Sequence, residues 1–271
     1  MKLAFTTLGC PRWDLDTMID YAVENGFQGI DFRGFQGEMD IFRLPAFSTR
    51  REETKQKFDQ AGLEIPCFSS SVRLYTTSEE QCRDYLEELK EYGKLCRFFH
   101  TPYIRVFGGI IGDTPREQAL DIVENNLKEM LAIAEEYQVT LLLETHDDWT
   151  SCNYVAEILQ RARSPYLKVL WDIHHPYRIA GEAPEKTWET LGRYIRYTHW
   201  KDSYGYMANQ KGYQLCLMGE GDVPLQHICR LLEEKGFEGY YTLEWEKVWW
   251  PDIEEPEVAI PQYAAFMKSI G

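Results

Sequence analysis

The stretch Leu141–Trp149, LLLETHDDW, runs three consecutive leucines directly into Glu144, His146 and the pair Asp147–Asp148. A short continuous apolar run of this kind suits a strand buried on both faces, as in a parallel sheet covered by helices. Just upstream, DTPREQ (113–118) opens a long amphipathic segment. Thr114 is its expected cap, with Pro115 in the first turn and Glu117 at the third helical position. Downstream, NYVAEILQRAR (153–163) has the spacing of another helix. The nine residues therefore read as one strand between two helices, with its polar end pointing out of the core.

The same unit recurs along the whole chain. KLAFTTLG precedes the helical DLDTMIDYAVENG, whose Gly26 suits a C-terminal cap. GIDFR precedes TRREETKQKFDQAG, and EIPCFSSSVRL precedes a helix from Ser78, a good N-cap, to about Phe98. YIRVFGG and TLLLETH lead into the helices already described. LKVLWDIHH is followed by PEKTWETLGRYI. RYTHWKDS is followed by an irregular stretch (204–224) and LQHICRLLEEKG, and GYYTLEWE by PEVAIPQYAAFMKSI. Strict alternation implies a parallel sheet. Eight units in 271 residues match a closed (β/α)8 TIM barrel, for which about 250 residues is typical. An open doubly wound sheet fits less well, because no GxGxxG turn follows the first strand. Residues 1–271 are expected to form one domain.

Composition narrows the function classes. A net charge of −15 repels phosphate backbones and argues against nucleic-acid binding. Seven cysteines without a CxxC pair argue against a disulfide framework or a thiolate zinc site, and for a cytoplasmic setting. The amino-terminal apolar run is too short for a signal peptide, and no run approaches membrane-spanning length.

In such a barrel, chemistry sits where the strands end. Four consecutive strands end in metal-capable side chains: Glu144, Asp172, His199 and Glu244. Three carboxylates and one imidazole make an oxygen-rich site suited to one divalent ion, foremost Mn2+, with Mg2+, Co2+ or Zn2+ as alternatives. Side chains two apart share a strand face. Asp172 and His174 therefore point one way while the chain stays extended, and His175 reaches the site only if the strand has ended.

LLLETH, VLWDIHH, YTHWKDS, GEGDVPL and GYYTLEWE resemble the motifs of the xylose-isomerase-like sugar phosphate isomerase and epimerase superfamily, strand by strand along essentially the whole chain. The resemblance implies a divalent metal on Glu144, Asp172, His199 and Glu244, with His175 beside the metal or on the substrate. It also implies that Glu144 and Glu244 act as catalytic acid and base, moving a proton next to a carbonyl through an enediolate. The implied substrate is a small sugar, sugar phosphate or keto-polyol. A lyase on the same metal site, dehydrating a keto-inositol or dehydroshikimate, is the alternative. Ketose 3-epimerases carry an Arg six residues beyond the metal-binding His and a second Glu six beyond the first ligand. Here those positions are Gly205 and Thr150, so the resemblance leaves the substrate open.

Further candidates for substrate binding are Lys201, Arg178, Arg105 and Trp13. Lys201 shares a face with His199 and reaches either substrate or a neighbouring carboxylate. Arg105 lies among apolar residues and is expected to face inward and be paired. Arg33 is a second candidate for anion binding. Exposed aromatics allow a homodimer.

Overall fold

The computed structural model describes residues 1–271. Its strands and helices alternate as β1 (Lys2–Thr6), α1 (Leu15–Asn25), β2 (Gly29–Asp31), α2 (Arg51–Ala61), β3 (Cys67–Arg73), α3 (Glu79–Phe99), β4 (Tyr103–Phe107) and α4 (Arg116–Tyr137). They continue as β5 (Thr140–Glu144), α5 (Cys152–Ala162), β6 (Leu167–Asp172), α6 (His174–Arg178), α7 (Pro184–Leu191) and β7 (Ile195–Trp200). The last elements are β8 (Asp202–Gly205), β9 (Tyr213–Cys216), α8 (Leu225–Glu234), β10 (Tyr240–Leu243) and α9 (Pro256–Ile270).

Eight strands form one parallel sheet in the order β2-β1-β10-β7-β6-β5-β4-β3. Parallel bridges Gly29↔Glu64 and Phe32↔Phe68 join its two edges and close the (β/α)8 barrel. The leucine run explains how the wall is filled. Leu141 and Leu143 face outward into the large core between strands and helices. Leu142 faces the barrel interior with Ala4, Cys67, Leu170, Tyr197 and Tyr240. These side chains plug the lower barrel, as parallel barrels require. Above the plug the inward positions turn polar.

Several local expectations hold. Gly26 ends α1 in the left-handed conformation, and the Ser78 side chain accepts from the Gln81 N–H at the start of α3. Others do not. Pro115, not Thr114, is the residue that precedes α4, and Glu117 is its second helical residue. Thr114 instead bonds the Tyr75 hydroxyl at 2.7 Å. The stretch 204–224 is not irregular throughout, because β8 and β9 pair as an antiparallel hairpin. No helix is long and apolar enough to cross a membrane, and all seven cysteines are free.

Candidate active site

Alternation along each barrel strand delivers the polar side chains to one place. Leu142 faces inward, so Glu144, two residues on, does too. Leu170 sets Asp172 in the same way, Tyr197 sets His199, and Tyr240 sets Thr242 and then Glu244. Glu144, Asp172 and His199 are fully buried and Glu244 nearly so.

Three of these four converge tightly. The ligating atoms of Glu144, His199 and Glu244 lie within 4.8 Å of one another. His199 Nδ1 stands 3.1 Å from Glu144 Oε1 and 3.3 Å from Glu244 Oε1. Asp172 groups instead with His174 and His175. Its Oδ1 accepts the backbone N–H groups of both histidines, which leaves Oδ2 toward Lys201 Nζ at 2.8 Å. Lys201 also pairs with Glu244, and with Glu246 at 2.7 Å, so it links Asp172 to the tight cluster. Lys201 thus makes the carboxylate contact that was one of the two partners expected for it. Arg105 is inward, buried and paired as expected, its Nε 3.4 Å from Glu144 Oε2.

Asp31, at the end of β2, is a member that sequence reading missed. It is fully buried, accepts from Ser69 Oγ at 2.8 Å, and places Oδ2 3.3 Å from His199 Nε2. The signal was present: GIDFR ends a strand in a carboxylate, as LLLETH does.

The electrostatics follow from burial and pairing. Burial alone would push the Glu144 carboxyl up, but Arg105 and the His199 ring outweigh it and hold it down at about 2. Burial also opposes ionisation of Glu244, yet Lys201 and His199 hold it well below the ordinary range. Asp172 goes the other way: burial raises it to about 6 despite Lys201. Burial would lower His199, but Glu244, Asp31 and Glu144 raise it well above the usual imidazole value. Burial and then Lys201 keep His175 neutral.

The donor set fits a divalent cation. Both ring nitrogens of His199 face carboxylates, whereas a neutral imidazole has only one N–H. With Asp31 on Nε2, the Nδ1 lone pair would confront two carboxylate oxygens unless a proton or a cation lies between them. A carboxylate behind a ligating imidazole is the usual support of a metal-bound histidine. Five carboxylates (Asp31, Glu144, Asp172, Glu244 and Glu246) stand against two permanent cations, Arg105 and Lys201. Four of the five are buried and Glu246 is partly so, and such an excess of negative charge out of water is costly without a further cation.

The remaining expected residues surround this cluster. β6 ends at Asp172 and α6 begins at His174, so His175 does turn back to the site, its Nδ1 3.5 Å from Asp172 Oδ2. His146 packs its ring against Phe107 and His175 and bonds Asp147 at 2.8 Å. Asp148 accepts from the Ile111 N–H. Arg178 is occupied by the Ser203 hydroxyl and carbonyl and by Asp222, and so fastens the hairpin. Trp13 is buried against Tyr21 and donates to Glu257 at 2.9 Å, which places it in packing beside α9 rather than at the cluster.

Comparisons with known proteins agree with this architecture. The profile of the xylose isomerase-like TIM barrel matches residues 19–270. Fructoselysine 3-epimerase of Escherichia coli O157:H7 is 26% identical over 255 residues, covering 90% of each chain. The solved IOLI protein, with a zinc atom bound, superposes on all of this chain and 98% of its own with a TM-score of 0.83 at 17% identity. The probable 3-DHS dehydratase AsbF from Bacillus anthracis does so on all of this chain and 98% of its own, with a TM-score of 0.82 at 21% identity. Sequence profile and barrel architecture together place the chain in the xylose isomerase-like TIM-barrel family.

Proposed function

We propose that the chain is a divalent-metal-dependent isomerase or epimerase that moves a proton at the carbon next to the carbonyl of a small sugar, sugar phosphate or keto-polyol. The observation that carries this reading is the pair of buried glutamates, Glu144 and Glu244, brought to a single imidazole nitrogen. A divalent ion on Glu144, Asp172, His199 and Glu244, with Mn2+ the first choice, would when bound polarise the carbonyl and its neighbouring hydroxyl as a Lewis acid.

The chain's own residues supply the rest. Each glutamate has a buried cation beside it, Arg105 for Glu144 and Lys201, which Asp172 and Glu246 share, for Glu244. Both therefore stay ionised, and each can accept a proton at a carboxylate oxygen. Removal by one glutamate, with return to the opposite face by the other after it has taken up a proton from solvent, inverts a carbon; the first glutamate then releases its proton to solvent. Return to the adjacent carbon isomerises. Neutral His175, with Nδ1 free of a hydrogen-bond partner, is placed to bond a substrate hydroxyl. The likeness to fructoselysine 3-epimerase makes an amine-bearing ketose the first substrate to try.

The test is a ketose screen in D2O with added Mn2+. Deuterium should enter at the carbon next to the carbonyl with product mass otherwise conserved. Glu144→Gln and Glu244→Gln should each lower the rate by a factor of about 100 or more. A product lighter by one water would identify the lyase instead. Undiminished rates in both variants would overturn the assignment.

A further inference from the structure

Beyond the cluster, the inward positions two residues farther along the strands form a second tier of side chains. Arg33 follows Asp31, Ser71 follows Ser69, Phe107 follows Arg105 and His146 follows Glu144. These four form a connected arc. Arg33 Nη1 donates to Ser71 Oγ at 3.0 Å, and its guanidinium lies 5.9 Å from the centre of the Phe107 ring. The other side of the arc is His146, 4.8 Å from Phe107 and 4.5 Å from His175.

Arg33 is unlike the other cations near this rim. Arg105, Arg178 and Lys201 each have a carboxylate partner. No carboxylate lies within salt-bridge distance of Arg33; Glu88, on α3 behind it, gives Oε1 to the Ser71 N–H instead. Arg33 is nonetheless half-buried, and a second guanidinium, that of Arg105, packs against the same Phe107 ring. Burial, and then the charge of Arg105, push its pKa down to about 10, so it remains a cation at neutral pH. Its backbone is fixed as well, since the Arg33 N–H donates to Thr7 Oγ1 at 2.9 Å and the same hydroxyl donates to the Gly34 carbonyl. A partly desolvated guanidinium without a carboxylate costs stability, and the fold gains no ion pair from it. Its free N–H groups form a fork that matches an oxyacid.

We propose that Arg33, backed by Ser71 and the face of Phe107, binds an anionic group at the far end of the substrate, a carboxylate or a phosphate. The inference rests on the reading of the Glu144–His199–Glu244 cluster as the place of carbonyl chemistry. It adds a choice of substrate: in a chain of net charge −15, this one cation selects charged keto-sugars over neutral ones.

Two measurements test it. The first compares D-fructose, D-fructose 6-phosphate and D-fructuronate as substrates for deuterium exchange by Mn2+-loaded wild type, Arg33→Gln and Arg33→Lys. Wild type should favour a charged sugar over fructose in kcat/KM. Arg33→Gln should reduce that ratio by about tenfold or more, mainly through KM. The charged sugar that loses more identifies phosphate or carboxylate. A ratio unchanged in Arg33→Gln, or a wild type that favours fructose, overturns the proposal. The second measurement is calorimetric titration of the same proteins with inorganic phosphate and with glycerate, which needs no turnover. Weaker binding to Arg33→Gln than to wild type supports the site even if no ketose reacts; equal binding overturns it. Arg33→Lys keeps the charge without the fork, and carries the test if Arg33→Gln does not fold.

Discussion

Lys201 is the residue on which three carboxylates depend. Its ammonium is fully buried and meets Asp172, Glu244 and Glu246. Removing one member of a buried charge network typically costs about 3–5 kcal/mol. Lys201→Met should lower the stability of the chelator-treated protein by about that much, and Mn2+ should restore part of the loss. Denaturant unfolding with and without metal checks this; equal midpoints for wild type and variant would remove Lys201 from that role. Protons make a related prediction. A metal ligand must be deprotonated, while Asp172 holds its proton up to about pH 6 and His199 holds one well above the usual imidazole value. Metal affinity should therefore weaken by about tenfold for each unit the pH is lowered from 8 to 6, with protons released on binding. Calorimetry in two buffers of different ionisation enthalpy reads both, and an affinity independent of pH would show that no proton sits where the metal binds. At this scale Glu144, Asp172, His199 and Glu244 were legible because each closes an apolar run. Asp31 closes a strand in the same way, but that strand has only three residues, too few to mark its last side chain as a strand end. Partners across the barrel, such as Lys201 with Glu246, are set by distances that no local spacing records.

Among the elements, the turn after β5 shows how a loop is held to a strand. Trp149 is fully buried, and its ring lies where a side chain on Gly108 would have to go. Gly108→Ala should force the Asp147–Trp149 turn outward at a cost of about 1–3 kcal/mol, the usual range for overpacking. Chemical denaturation measures it, and an unchanged midpoint would show that the turn yields freely. The helices were legible because their burial is periodic, and the barrel strands because they are short apolar runs buried on both faces. The β8–β9 hairpin was not, because distant contacts hold it. Asp202 at its base accepts the N–H groups of Ser203, Gly219, Gly221 and Val223, which ties the hairpin to the GEGD turn. Arg178 adds a clamp from α6. Neither contact follows a repeat of two or 3.6 residues. Thr114 was misread for a similar reason: the Tyr75 hydroxyl, remote in sequence, claims its side chain.

At the scale of the molecule, eight alternating units were enough to predict the closed sheet, since a parallel strand order needs helical returns and eight of them complete a ring. The seam is narrower than the rest. β2 has three residues, and two single bridges join it toward β3. The residues of the cluster come from both sides of that ring: Asp31 from β2, and His199, Glu144 and the others from β5 through the loop after β10. Asp31 and His199 are 168 positions apart in the chain. They meet only once β1 has its last neighbour, β10, the last strand of the barrel in chain order. An ion that binds the assembled cluster and not the open chain is therefore linked to closure by mass action. It would act as a clasp whose occupancy reports that the ring is complete, with the weakly paired edge at β2 gaining most from it.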